Sequence, residues 1–99
     1  MDLPRLSAKE SLILELLDAE SSLYGLQMVE ASREQLKRGT VYVTLARMEE
    51  KGLIRSRTQE PPDGAGGLPR RIYEATPHGV RVFKAWSAML RALRPEMAR

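Results

Sequence analysis

Apolar residues recur along this chain with two different periods, and the change of period divides it into elements. Leu12, Ile13, Leu16 and Leu17 repeat at helical spacing until Asp18-Ala19-Glu20-Ser21-Ser22 interrupts them. Ser7-Ala8-Lys9-Glu10 precedes them and fits a capping box, so a first helix is expected over about residues 7–18. Ser22 is expected to cap a second, shorter helix ending near Ala31 or Ser32, with Leu26 and Val29 facing inward and Met28 near the edge of that face. Ser32-Arg33-Glu34-Gln35 reads as a polar turn anchored by Leu36. A third helix follows from about Lys37 to Lys51, stopped by Gly52, which accepts the left-handed backbone typical just past a helix end.

The period then shortens to two. Leu53–Gln59 and Arg70–Ala75 alternate as strands do, and the Gly- and Pro-rich stretch Pro61–Pro69 between them is expected to form a loop, giving a long-tipped hairpin, or wing, over about residues 53–75. Thr76-Pro77 starts a last helix, since threonine caps well and proline is preorganised for the first helical position; it is expected to run to about Arg94. The resulting fold class is mainly α with a small β-hairpin: a winged helix-turn-helix over residues 1–76, then a C-terminal dimerisation helix and tail over 77–99.

The third helix carries the chemistry. At about 100° per residue, Val41, Leu45 and Met48 fall within a sector of roughly 60°, while Thr40, Val43, Thr44, Arg47 and Lys51 cluster opposite. The free face thus offers hydroxyls, an apolar group suited to a thymine methyl, and an arginine able to fork onto guanine O6 and N7. Lys37 and Arg38 stand at the helix start, where the macrodipole disfavours cations by about 0.3–1 kcal/mol each, and a phosphate would explain them. Arg55 and Arg57 share one face of the first strand, and Arg70-Arg71 open the second. Against these four arginines stand Glu60, Asp63 and Glu74, so the hairpin is suited to grip the sugar–phosphate backbone or the minor groove. Tyr42 falls beside the core sector, and two roles fit it: packing with its hydroxyl bonded, or contact of that hydroxyl with phosphate.

Composition narrows the alternatives more than it selects among them. At 99 residues and 42% apolar the chain supports one modest core, and a formal charge of +3 only permits polyanion binding. Without cysteine there is no disulfide, thiol nucleophile or cysteine-based zinc site. His78 is the sole histidine and has no carboxylates at ligand spacing, so neither metal, cofactor nor enzymatic activity is expected. No apolar run approaches a membrane span, and Met1–Arg5 does not lead into a signal peptide, so a cytoplasmic location is expected.

Tyr24-Gly25, Gly39-Thr40-Val41-Tyr42 with Leu45, Met48-Glu49-Glu50-Lys51-Gly52-Leu53-Ile54, Arg70-Arg71-Ile72-Tyr73-Glu74-Ala75-Thr76 and Gly79 resemble, in this order and spacing, the PadR-like transcriptional regulators. The resemblance spans about residues 6–80. It implies a bacterial winged-helix repressor, dimeric through its C-terminal helix, on a partly palindromic operator. The family's usual proline after the second tyrosine is Val43 here, and the turn before the third helix is shorter than in many relatives. The chain is expected to lack the larger C-terminal domain of some of them.

On the last helix Val82, Trp86, Met89 and Leu93 recur at intervals of four, three and four, with Phe83 and Leu90 alongside, a stripe wider than a small core covers. These six residues are expected at a two-fold seam. Some PadR-like proteins hold flat aromatic molecules there against a tryptophan, which makes Trp86, with Met89, the matching ligand position or simply a seam-filling pair. The expected function is therefore a dimeric, sequence-specific regulator of transcription bound to double-stranded DNA. The competing reading is a winged-helix module for protein interaction or small-ligand sensing without its own operator, which would leave Lys37 and Arg38 unexplained.

Overall fold

The computed structural model describes residues 5–61 and 66–93. Four helices and three short strands follow one another as α1 (Ala8–Glu20), β1 (Ser22–Tyr24), α2 (Gly25–Ala31), α3 (Arg38–Glu50), β2 (Ile54–Gln59), β3 (Arg70–Ala75) and α4 (Pro77–Ala92). The strands form one antiparallel sheet in the order β1-β3-β2. The expected winged helix-turn-helix with a further C-terminal helix is present. Within it the hairpin gains a third strand, because Ser22–Tyr24 pairs with Ile72–Glu74 of β3. Three residues are too few to display a period, and only the distant partner strand makes them β.

Local chemistry sets the boundaries. Ser7 Oγ accepts from the Glu10 N–H (3.1 Å) and Glu10 Oε1 accepts from the Ser7 N–H (2.9 Å), closing the anticipated capping box. α1 continues two residues past its expected end, to Glu20. α2 starts later than expected: Tyr24, not Ser22, is its N-cap, and the Tyr24 N–H is taken up by Gln27 Oε1 at 2.8 Å. That shift turns the helix, so Leu26 is 43% exposed while Met28 lies fully inside beside Val29. After α2, buried Ser32 donates to the Val29 carbonyl (2.9 Å) and accepts from the Leu36 N–H (3.0 Å), tying the turn that precedes α3.

α3 ends as its sequence foretells. Gly52 adopts φ 75°, its N–H bonds the Glu49 carbonyl (3.0 Å), and the Leu53 N–H bonds the Met48 carbonyl (3.0 Å), the paired bonds of a Schellman motif. Thr76 then joins this helix end to the next helix start. Its hydroxyl donates to the Gly52 carbonyl (2.6 Å) and accepts from the Gly79 N–H (2.9 Å) at the start of α4. Gly79 is obligatory here, since a Cβ would fall 1.9 Å from the Leu53 carbonyl oxygen. The described part of α4 ends at Ala92, with Leu93 as its cap; Arg94 and the tail lie outside the described residues, as do 62–65 of the wing loop.

The core lies between α1, α2, α3 and the inner face of the sheet: Ile13, Leu14, Met28, Leu36, Val41, Leu45 and Met48 are fully buried. Each such side chain contributes about 1.5–3 kcal/mol by leaving water. Val82, Phe83 and Trp86 of α4 pack partly against this core, whereas Leu93 is 69% exposed. Of α4, only Gly79 is fully buried.

Candidate nucleic-acid interface

The two faces of α3 separate as its spacing requires. Val41, Leu45 and Met48 are at most 1% exposed, and Thr40, Val43 and Arg47 stand in solvent with Thr44 half-buried between them. Val43 is 54% exposed on this same face. The Thr44 hydroxyl makes a long bond back to the Thr40 carbonyl (3.4 Å). Lys37 is the N-cap of the helix without a capping side chain, and Arg38 is its first residue; both are exposed. The ion pairs among the described residues are Lys51–Glu10 and Arg55–Glu74, so Lys37, Arg38 and Arg47 carry their charge uncompensated.

Lys51 stands differently. Its Nζ lies 2.6 Å from Glu10 Oε2, which ties the C-cap of α3 to the first turn of α1. Burial pushes the Glu10 carboxyl up, but the Lys51 ammonium and the bonds from Ser7 outweigh it, and its net direction is down. The charge that sequence placed on the free face is thus largely answered from across the fold. The same approach of α1 to α3 makes a shallow cleft lined by Ser7, Lys9, Thr40, Val43, Thr44 and Arg47. Sequence reasoning missed Ser7 and Lys9 as neighbours of this face. The capping box located them at a helix start, but nothing local says what that start lies beside.

Tyr42 is 47% exposed, with its ring over Gly25 at the start of α2; a Cβ on Gly25 would come within 2.6 Å of it. Packing of the ring is therefore present, but the expected bond to its hydroxyl is not among the described hydrogen bonds.

The wing arginines do not form one patch. Register pairs Arg55 with Glu74, Arg57 with Ile72, Thr58 with Arg71 and Gln59 with Arg70, and directly opposed residues share a face. Arg55, Arg57 and Arg70 consequently stand on the face that also carries Tyr24, while Arg71 stands on the other with Ser56 and buried Tyr73. Arg55 Nε bonds Glu74 (2.6 Å), Arg70 stacks 5.1 Å above the centre of the Tyr24 ring, and the Tyr24 hydroxyl bonds Gln59. Arg57 has no side-chain partner among the described residues. On the inner face, burial and the Glu49 charge push the Tyr73 hydroxyl up, so it stays protonated.

Among the described residues no group of three His, Asp or Glu side chains is placed to hold a metal, and no helix is long and apolar enough to cross a membrane. The model of the transcriptional regulator PadR-like family matches residues 13–85, most of the chain and all of its helix-turn-helix and wing. The chain belongs to the PadR-like family. Among solved structures, this PadR-like chain is similar to a PadR family transcription regulator from Clostridium difficile R20291, with a TM-score of 0.78, 28% identity, and 93% of this chain and 96% of that one covered. It also shares its fold with Bacillus subtilis PadR, solved in complex with operator DNA, at a TM-score of 0.70 and 23% identity. That match covers 81% of this chain and 46% of the other. A PadR-like transcription factor from Bacteroides fragilis gives a TM-score of 0.75 at 24% identity over 90% and 85% of the two chains. Among curated proteins no relative matches.

Proposed function

We propose that this PadR-like chain is a cytoplasmic, dimeric repressor that binds a specific DNA operator, with residues 1–76 reading the duplex and residues from 77 onward joining two copies. The observation that carries this reading is α3 itself. One side is sealed in the core, and the other presents Thr40, Val43, Thr44 and uncompensated Arg47 to solvent beside a wing rich in arginine. A solvated face without a partner does not account for two cations at the helix start, where the dipole opposes them. α3 enters the major groove with Lys37 and Arg38 toward phosphate. The wing lies on the backbone or minor groove, and Tyr42 directs its hydroxyl at a phosphate from its platform on Gly25. The relative from Bacillus subtilis, seen with operator DNA, supports the same use of this fold.

Two α4 helices, each with the Val82, Phe83, Trp86, Met89, Leu90 and Leu93 stripe incompletely covered, form the two-fold seam and set the α3 helices roughly 34 Å apart. Trp86 and Met89 fill that seam; the family resemblance adds a planar aromatic effector as a second role for them, which unchanged Trp86 fluorescence across a panel of planar cationic compounds removes. Selection of bound duplexes from a random pool tests the central reading. A recovered motif with two-fold symmetry and half-sites one helical turn apart is expected, with log affinity falling against log salt at a slope of about −5 to −7 for three or four phosphate contacts per subunit. Failure to retain duplex DNA even at low salt would leave the protein-interaction or ligand-sensing module standing.

A further inference from the structure

One hydroxyl joins the reading helix to both strands of the wing. Ser56 Oγ of β2 donates to Glu49 Oε2 at the end of α3 (2.9 Å) and accepts from Arg71 Nη1 of β3 (3.0 Å). Glu49 and Arg71 do not themselves come within ion-pair distance, so the hydroxyl is their only described link. Because its proton goes to the carboxylate, its lone pairs are left for the guanidinium, and each bond polarises the other. Arg71 is also the one wing arginine on the sheet face shared with α3. Its bond to Ser56 uses one nitrogen and leaves the rest of the fork free on an exposed side chain.

We infer that Ser56 is a positioning residue for DNA binding: with Glu49 it holds Arg71 at a fixed place relative to α3, so that the arginine meets a backbone phosphate in step with the contacts of the reading helix. The relay rests on the reading of the wing as a DNA grip. Hydrogen bonds this exposed contribute little to stability, which leaves no strong structural reason for a three-residue chain at this joint.

The test uses the whole protein, a random-sequence duplex, and binding measured between about 50 and 200 mM salt. Ser56→Ala is expected to melt near the wild-type temperature and to lower the salt slope by about two, one contact from each subunit of the dimer, a roughly tenfold smaller loss of affinity over that range. Ser56→Thr, which keeps the hydroxyl, is expected to restore the slope, and Arg71→Ala is expected to cost little more in the Ser56→Ala background than Ser56→Ala does alone. Glu49→Ala gives the sharpest sign. Removing an anion beside a polyanion should tighten binding on Coulomb grounds, whereas loss of the relay weakens it two- to fourfold. Tighter binding by Glu49→Ala, a wild-type slope in Ser56→Ala, or a threonine variant that behaves like alanine would each overturn the inference. A wild-type protein that ignores DNA would take the underlying reading down with it; wild-type binding with unaffected variants would remove the relay alone.

Discussion

Arg47 and Arg57 are both exposed and have no ion-pair partner among the described residues, and in the proposed binding mode they stand on elements that meet a duplex differently. On the reading helix, Arg47→Ala should relax preference at one base position by about 1–3 kcal/mol, whereas Arg57→Ala on the wing should weaken all sequences alike. Equal losses from both across a randomised operator library would contradict that division. Glu10 gives a residue-scale prediction of another kind. Its folded carboxyl is held below the ordinary glutamate range, so its contribution is complete above that range and is lost as pH falls through the folded value. Glu10→Gln, which keeps an acceptor for the Ser7 N–H but loses the ion pair with Lys51, should melt below wild type at pH 7, and the gap should close toward pH 3. A gap that stays constant across that range would mean the pair does not stabilise the fold.

Among the elements, the joint between α3, the wing and α4 is the least tolerant. Gly52 and Gly79 both serve it, for different reasons. Gly52 needs a left-handed backbone with open space around it, so Gly52→Ala should cost about 1 kcal/mol. At Gly79 the backbone is ordinary, but a methyl would strike the Leu53 carbonyl, which the chain cannot move without undoing the Schellman bonds and the Thr76 link. Gly79→Ala should therefore cost more, about 2–3 kcal/mol, as a midpoint shift in urea. The reverse order would show that α4 docks more loosely than this geometry requires.

In the whole molecule, the apolar stripe of α4 is only partly covered by its own chain. Val82, Phe83 and Trp86 of this stripe pack partly against the core, whereas Met89 and Leu90 are half-buried without joining it and Leu93 is exposed. If that stripe is the seam, Met89→Glu should yield monomers in light scattering with the helical content retained. Operator affinity should then fall by about 100-fold or more as two linked half-sites become independent. A variant that stays dimeric with unchanged affinity would place the interface elsewhere.

Short-range physics made much of this protein legible in its residues alone. The capping box, the Gly52 stop, the Thr76-Pro77 start and the buried face of α3 all depend on neighbours within one or two turns, and each is found where its spacing indicates. The family was legible because its motifs keep their residue types and spacing along the chain, although Gly25 and Gly79 within them answer to distant contacts with Tyr42 and Leu53. Tertiary structure decided what depends on partners far along the chain. A third strand exists only because β3 offers its free edge to Ser22–Tyr24, and with it α2 starts later, exposing Leu26 and burying Met28. Lys51 lost its free charge to Glu10, forty-one positions away, and the four wing arginines were divided between two faces by strand register. Local sequence determines the long helices, the two wing strands and most of their caps; only packing adds the short third strand and brings a charge to its counter-charge, because such meetings depend on how elements cross and not on what either element contains.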